Sequence, residues 1–325
     1  MDPLSDVLSL LKLHSYGCGG FDVGRNLCLQ FPKHAGIKCY AVVSGKGWLS
    51  VDGVPDLVQL KAGDCFLLPP GRPFRLASDL TLPPVDALTL CASKNGSISS
   101  FNGGGDCFIV GGHFALTGNH ATILLGGMLP PIVHLQKESD KAALRWSIER
   151  MMEELREPQP GGLLIAQHLA QMMLVQALRL HLASGLSGGV VGWLFALADK
   201  QMSAALNAMH EDPAHRWTLQ ELAECAGMSR STFAQKFKQR VGKSPMEYLT
   251  RWRMLVAGDK LVNSSDPVSV ISLALGYESE AAFSTAFKRV MGCSPRQYSR
   301  GRAPALPSHS EEESALANQV ERITR

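Results

Sequence analysis

Seven residues written twice constrain this chain more than any other feature. GKSPMEY, Gly242–Tyr248, returns as GCSPRQY, Gly292–Tyr298. Extended upstream, Ser229–Tyr248 and Ser279–Tyr298 agree at eight of twenty positions, where chance gives roughly one, so the segment is an internal repeat. In the first copy Phe233, Phe237 and Val241 recur at i, i+4 and i+8, the apolar stripe of a helix packed on a core. Ser229 precedes the stripe and suits an N-cap, and Gly242 follows it and suits a left-handed C-cap. Pro245 then opens the next helix. The second copy repeats the set as Ser279, Phe283, Phe287, Met291, Gly292 and Pro295.

A shorter helix and a glycine turn stand upstream of each copy. Leu219, Leu222 and Ala223 lead to Gly227, and Val268 and Ile271 lead to Gly276. Helix, glycine turn, helix is a helix-turn-helix unit. The offset between the two turns is 49 rather than 50, so the second turn is one residue longer. A repeat scaffold is the other reading, but two copies are few for a solenoid. Off the first Phe stripe lie Arg230, Ser231, Ala234, Gln235 and Lys238, the short, polar or basic side chains that a helix entering a major groove requires. Charge agrees with this. Residues 199–302 carry 15 Lys/Arg against 10 Asp/Glu, and residues 1–198 balance at 15 against 15. A basic segment beside a neutral one points to a polyanionic partner.

The span from about Arg216 to Arg300 resembles the DNA-binding domain of the AraC/XylS family of bacterial transcription regulators. GYESEAAFSTAFKRVMGCSPRQYSR, Gly276–Arg300, carries the resemblance most specifically. LAECAGMSRSTFAQKFKQRVGKSPMEYLTRWRM carries it nearly as well. The resemblance implies two helix-turn-helix units joined by a longer helix containing Trp252, Arg253 and Leu255, with two recognition helices in successive major grooves of double-stranded DNA. Carried over by position, base contacts come from Ser231, Ala234 and Gln235 in the first helix and from Glu280, Ala281, Ser284 and Thr285 in the second. Phosphate contacts come from Arg230, Lys236, Lys238, Lys288 and Arg289. Pro245, Tyr248, Pro295 and Tyr298 are expected to shape the fold.

Residues from about Leu4 to Ala115 read as short strands closed by Gly and Pro turns, among them CYAVVSG, GWLSVDG and DCFLLPPG. LKAGDCFLLPPGRPFRL, Leu60–Leu76, resembles the second half of a cupin barrel through Gly63, Asp64, Pro69 and Gly71. A cupin raises a competing function, a metal-dependent enzyme fused to a DNA-binding domain. That chemistry needs a His/Glu cluster. None is legible: there is no HxH within Ile37–Val51, Phe74 stands where a ligand His often does, and His34, His113 and His120 are isolated in sequence. The expectation is therefore no enzyme, no catalytic residue, no metal and no cofactor. GCGG, Gly17–Gly20, and NGGGD, Asn102–Asp106, lack the phosphate-loop fingerprint and read as turns.

Helical spacing follows the barrel. Leu144, Ile148, Met151, Met152 and Leu155 form one amphipathic stretch, and Leu163–Leu182 forms another. Polar residues from Gln167 to His181 interrupt the latter, so it reads as a packed helix and not a membrane span. Such helices in the resembled family commonly form a dimer interface. LPPIVHL, Leu129–Leu135, and GWLFALAD, Gly192–Asp199, are motifs of the resembled cupin subgroup. Met1–Leu13 has no basic n-region and is not read as a secretory signal.

The expected fold is a two-domain α+β chain. Residues 1–135 form a cupin-like sensor barrel and residues 136–198 a helical dimerisation and linker segment. Residues 199–302 form an all-α double helix-turn-helix domain, and 303–325 a disordered tail. The expected function is a cytoplasmic homodimeric regulator that activates or represses a promoter, with RNA polymerase as a further partner. Its effector is either an oxidant or electrophile acting on cysteine, or a small molecule. Of eight cysteines, Cys18 and Cys107 adjoin Gly-rich stretches and are the candidate redox sensors, while Cys65 and Cys91 lie in apolar runs and are expected to be inert. A ligand pocket is expected from Trp48, Phe66, Arg72 and Phe74.

Overall fold

The structure, a computed structural model, describes residues 2–10, 14–87, 98–115, 129–183 and 192–301. Cys91, His120 and the tail from 303 lie outside the described residues. The described residues divide into two compact units.

One unit is a β-sandwich of two sheets. Strands β1 (His14–Val23), β2 (Cys28–Phe31), β3 (Ile37–Ser44), β4 (Lys46–Val51), β5 (Val58–Lys61), β6 (Cys65–Leu68), β7 (Phe74–Ala77), β8 (Val85–Asp86), β9 (Ile98–Phe101), β10 (Cys107–Ala115) and β11 (Val133–Leu135) are followed by helices α2 (Glu138–Arg156) and α3 (Gly162–Ala183). The sheet orders are β11-β6-β3-β10-β1-β9 and β5-β4-β7-β2-β8. Strand alternation sends one face of each sheet inward. Tyr40, Val42, Phe66, Leu68 and Ile109 meet Leu29, Phe31, Leu49, Val51 and Phe74 in one apolar core.

Helices α2 and α3 cover the outer face of the six-stranded sheet. They form part of the sheet unit and not a separate segment. Glycine explains the close approach: a Cβ on Gly112 would lie 2.8 Å from the Ala170 Cβ of α3. This also corrects the reading of GCGG as a turn. Gly17–Gly20 runs inside β1, paired with residues 110–113 of β10. NGGGD is a turn, with positive φ from Asn102 to Gly105. Asp64 of the cupin-like motif is buried and accepts from the Lys61 backbone at 3.0 Å. It also meets His134 at 3.0 Å and Lys141 at 3.2 Å. LPPIVHL therefore fastens the barrel to α2. Among the described residues α3 alone is long and apolar enough to cross a membrane. Its stripe of Ala166, Leu169, Ala170, Met173, Leu174, Ala177 and Leu178 is buried.

The second unit is helical. It holds α1 (Pro3–Leu10), α4 (Trp193–Ala196), α5 (Lys200–Glu211), α6 (Leu219–Cys225), α7 (Arg230–Val241), α8 (Pro245–Asn263), α9 (Val268–Leu273), α10 (Glu280–Met291) and α11 (Pro295–Ser299). The expected boundaries change at two places. Residues 2–10 were expected in the barrel, yet they form a helix whose Pro3, Leu4 and Val7 are buried in this unit, next to α5 and α8. Residues 192–198, expected in the linker, also fold here, because α4 packs on the back of α7.

Candidate nucleic-acid interface and sensor site

Both copies of the repeat fold alike. Ser229 caps α7 and accepts from the Thr232 N–H at 3.3 Å, and Ser279 caps α10 through Ala282 at 3.2 Å. Gly242 and Gly292 end the helices at φ 82° and 80°, where a side chain would be strained. Ser244 and Ser294 then cap the next helices ahead of Pro245 and Pro295. That second role of the Ser-Pro pair went unread in the sequence. Inside, Phe233 and Phe237 lie 5.4 Å apart and Phe237 meets Tyr248 edge-on at 5.9 Å. Phe283, Phe287 and Tyr298 repeat the arrangement at 5.7 and 5.4 Å.

With these rings buried, each helix turns its other face outward. Ser231 and Gln235 are exposed and Ala234 half-buried on α7. Glu280, Ala281 and Thr285 are exposed and Ser284 half-buried on α10. Thr285 spends its hydroxyl on the Ala281 carbonyl at 3.0 Å, which narrows what it offers a base edge. Arg230, Lys238, Lys288 and Arg289 are exposed. Lys236 differs. Its ammonium sits 2.9 Å from Asp199 and 3.0 Å from the Gln201 amide oxygen. Asp199 is itself the N-cap of α5. GWLFALAD thus grips the back of α7, and the Gly192 N–H adds a 2.8 Å bond to the Arg240 carbonyl.

A second buried polar cluster joins α1 to the reader. His210 of α5 stacks on Trp252 at 3.8 Å. Its Nδ1 lies 3.2 Å from Asp6, and its Nε2 lies 2.8 Å from the Tyr248 hydroxyl. Burial pushes the imidazole down to about 3 and the Tyr248 phenol up. The neutral ring therefore donates to Asp6 and accepts from Tyr248.

The sensor candidates disperse. Phe66 and Phe74 lie in the barrel core, but Trp48 sits on the strand face opposite Leu49 and Val51. Arg72 is exposed and donates to the Asp52 carbonyl at 2.8 Å. The expected four-residue pocket does not form. The polar residues that do converge inside the barrel are Lys38, Tyr40, His113 and His34. The Tyr40 hydroxyl bonds His113 Nε2, with the Lys38 ammonium 3.4 Å from the same nitrogen. His34 meets the Phe74 ring edge-on at 5.8 Å. Burial, then the Lys38 charge, drives His34 down to about 4 and His113 well below its ordinary range. Two strands and a loop bring these residues together, so their separation in sequence concealed them. No group of metal-ligating residues occurs among the described residues.

Cys18 and Cys107 are not brought together either. Cys18 pairs with Gly112 and faces the helices, whereas Cys107 pairs with Val23 and faces the core. Burial holds both thiols up at about 11. Two other cysteines are neighbours: Cys39 and Cys65 lie on adjacent paired strands, and Cys65 together with burial holds the Cys39 thiol well above its ordinary range.

Comparison with known proteins separates a cupin part, which takes in the residues of α1, from a helix-turn-helix part. Residues 2–183 match the cupin family and residues 222–301 a helix-turn-helix domain. A putative AraC-like transcription regulator of Streptomyces antibioticus is 41% identical over 94% of this chain and 100% of its own. The chain belongs to the AraC-like transcription regulators.

Other members of this AraC-like family share less of it. The RCS-specific transcriptional activator RclR of Escherichia coli is 28% identical over 67% of this chain and 76% of its own. A solved AraC-type regulator from Chromobacterium violaceum covers 35% of this chain and 99% of its own, at 26% identity and TM-score 0.32. As an AraC-like regulator the chain is a DNA-binding protein with a cupin domain on its N-terminal side.

Proposed function

We propose that α7 and α10 enter successive major grooves of one duplex. Ser231, Ala234 and Gln235 on the first helix meet base edges, and Glu280, Ala281, Ser284 and Thr285 meet them on the second. Gln235 suits adenine and Glu280 suits the cytosine amino group. Arg230, Lys238, Lys288 and Arg289 meet phosphates, and Lys236 is kept for Asp199. One observation supports this reading above the rest: two identically capped helices bury their Phe stripes and turn small, polar and basic faces outward. Selection of binding sites from random duplex DNA tests it. Gln235→Ala shifts the selected sequence, and Lys238→Ala weakens all sequences alike; if neither variant alters the result, the contact assignment is wrong.

The chain acts in this reading as a cytoplasmic homodimer that contacts RNA polymerase and performs no catalysis. Trp146, Leu163, Leu164 and Ile165 of α2 and α3 are exposed, and they supply an apolar face for a second copy. Trp146→Glu then shifts sedimentation toward the monomer. The effector is a small molecule bound in the barrel, recognised through the buried Lys38, Tyr40, His34 and His113 group. This reading is favoured because a few polar groups in an apolar interior confer ligand selectivity, whereas Cys18 and Cys107 are protonated at neutral pH. Stoichiometric metal in purified protein would count against the non-catalytic reading.

A further inference from the structure

Besides the helix that joins them, the two helix-turn-helix units meet at a bracket centred on one side chain. Arg253 lies midway along α8. Its Nε donates to the Pro213 carbonyl at 2.5 Å and its Nη2 to the His215 carbonyl at 2.7 Å, in the turn that leads into α6. The same guanidinium stands 5.7 Å from the Tyr277 ring centroid, in the turn between α9 and α10. One planar side chain thus holds the approach to the first unit and the turn of the second.

The surrounding atoms leave the bracket little play. Gly276 has φ +78°, and a Cβ there would fall 2.2 Å from the Ala214 carbonyl oxygen, so the two turns are in backbone contact. Asp212 rigidifies its own turn by accepting from the Ala214 and His215 N–H groups at 3.2 and 3.0 Å. Arg216 and Glu278 close the outside with an ion pair of 2.9 Å. Geometry of this kind is specific to arginine: N–H donors fixed in one plane reach two carbonyls while the same cation lies beside the Tyr277 side chain, which an ammonium does not supply.

We propose that Arg253 is a positioning residue that fixes the separation of α7 and α10, and with it the half-site spacing the protein accepts on DNA. The proposal rests on the reading that both helices enter the duplex. Touching no base, Arg253 selects among sites by distance. Without the bracket α8 would be the connection left, and rotation about its axis would move the second helix along the groove by about one base-pair rise.

Selection from a random duplex library by the full-length protein tests this. Wild type is expected to enrich two submotifs at a single centre-to-centre separation of about 10 base pairs. Arg253→Met is expected to keep both submotifs and spread their separation over neighbouring values, and Arg253→Lys is expected to fall between. A purely structural arginine would weaken every site and leave the spacing sharp. A single unchanged separation in Arg253→Met, or loss of one submotif, overturns the proposal. If circular dichroism shows Arg253→Met unfolded, the exposed Arg216→Ala replaces it; its spacing distribution is expected to broaden in the same direction, and an unchanged one is equally fatal. A wild-type pool with one submotif refutes the two-helix reading instead, before any variant is compared.

Discussion

Lys236 and Lys238 look interchangeable as a sequence, two residues apart on one basic helix, and the structure separates them. Lys238 is exposed, and Lys236 is held between Asp199 and Gln201. Replacing each with alanine therefore has different consequences. Each phosphate neutralised contributes about 0.9 to the slope of log K against log salt. Losing Lys238 should lower that slope by about 0.9, so the penalty differs by about 3.5-fold between 50 and 200 mM salt. Losing Lys236 should leave the slope unchanged. Its ion pair with Asp199 is partly exposed, 28% and 20% for the two side chains, so after solvent screening it contributes about 0.5–1 kcal/mol. The cost of Lys236→Ala thus belongs to docking of α4 and α5 on α7. Fluorescence anisotropy on an arbitrary duplex across a salt series reads the slope without knowledge of an operator, and thermal denaturation reads the stability. A Lys236→Ala slope reduced as far as that of Lys238→Ala refutes the reasoning, because it would show the ammonium leaving Asp199 for DNA.

Four further outcomes follow from packing and protonation. Phe237→Ala and Phe287→Ala each empty a fully buried site and should cost about 3–5 kcal/mol in denaturant unfolding. Gly111→Ala places a Cβ 2.2 Å from the Cys39 carbonyl oxygen and should lower the melting temperature of the sensor unit while leaving nonspecific DNA affinity intact. His210 carries a folded-state pKa of about 3 against an ordinary 6.5, so the unfolded chain binds more protons between those values. Stability from this residue is full above about pH 6.5 and is lost as pH falls toward 3. Asp6, raised by its own burial, acts in the opposite sense in the carboxylate range. His210→Gln should therefore flatten the fall of melting temperature on acidification. In a thiol-labelling time course at neutral pH, the exposed Cys225 should react first and Cys18 and Cys107 slowly; rapid labelling of either would restore the thiol-sensor reading.

What was legible in the sequence follows the range of the interactions. Caps, stripes and turns act over four residues, so Ser229, Phe233, Phe237, Gly242 and Pro245 announced their helices and their copies confirmed them. The barrel announced itself less clearly, because strand partners are distant. Gly17–Gly20 has the composition of a turn, and only the neighbour strand and the helix above it make extended glycine favourable. Met1–Leu13 offered no strong signal, since α1 is short and owes its order to burial of Leu4 and Val7 against residues some two hundred positions away.

The candidate sites divide along the same line. Exposed positions on α7 and α10 are legible because the buried stripe fixes which face remains. The barrel interior is not, because knowing that a strand alternates does not say which alternate is inside. Trp48 and Leu49 are both apolar, and only the opposing sheet makes Leu49 the core residue. Lys38 and His113 were unreadable for a stronger reason: polar residues score as surface, yet here adjacent strands carry them into the core, where Tyr40 supplies a hydrogen bond. Arg253 belongs to this class as well. In sequence it is one more basic residue in a basic domain, with phosphate as its natural partner. In the folded unit two backbone carbonyls accept from its Nε and Nη2, and in the role proposed for it the guanidinium serves the distance between α7 and α10 instead of the DNA itself.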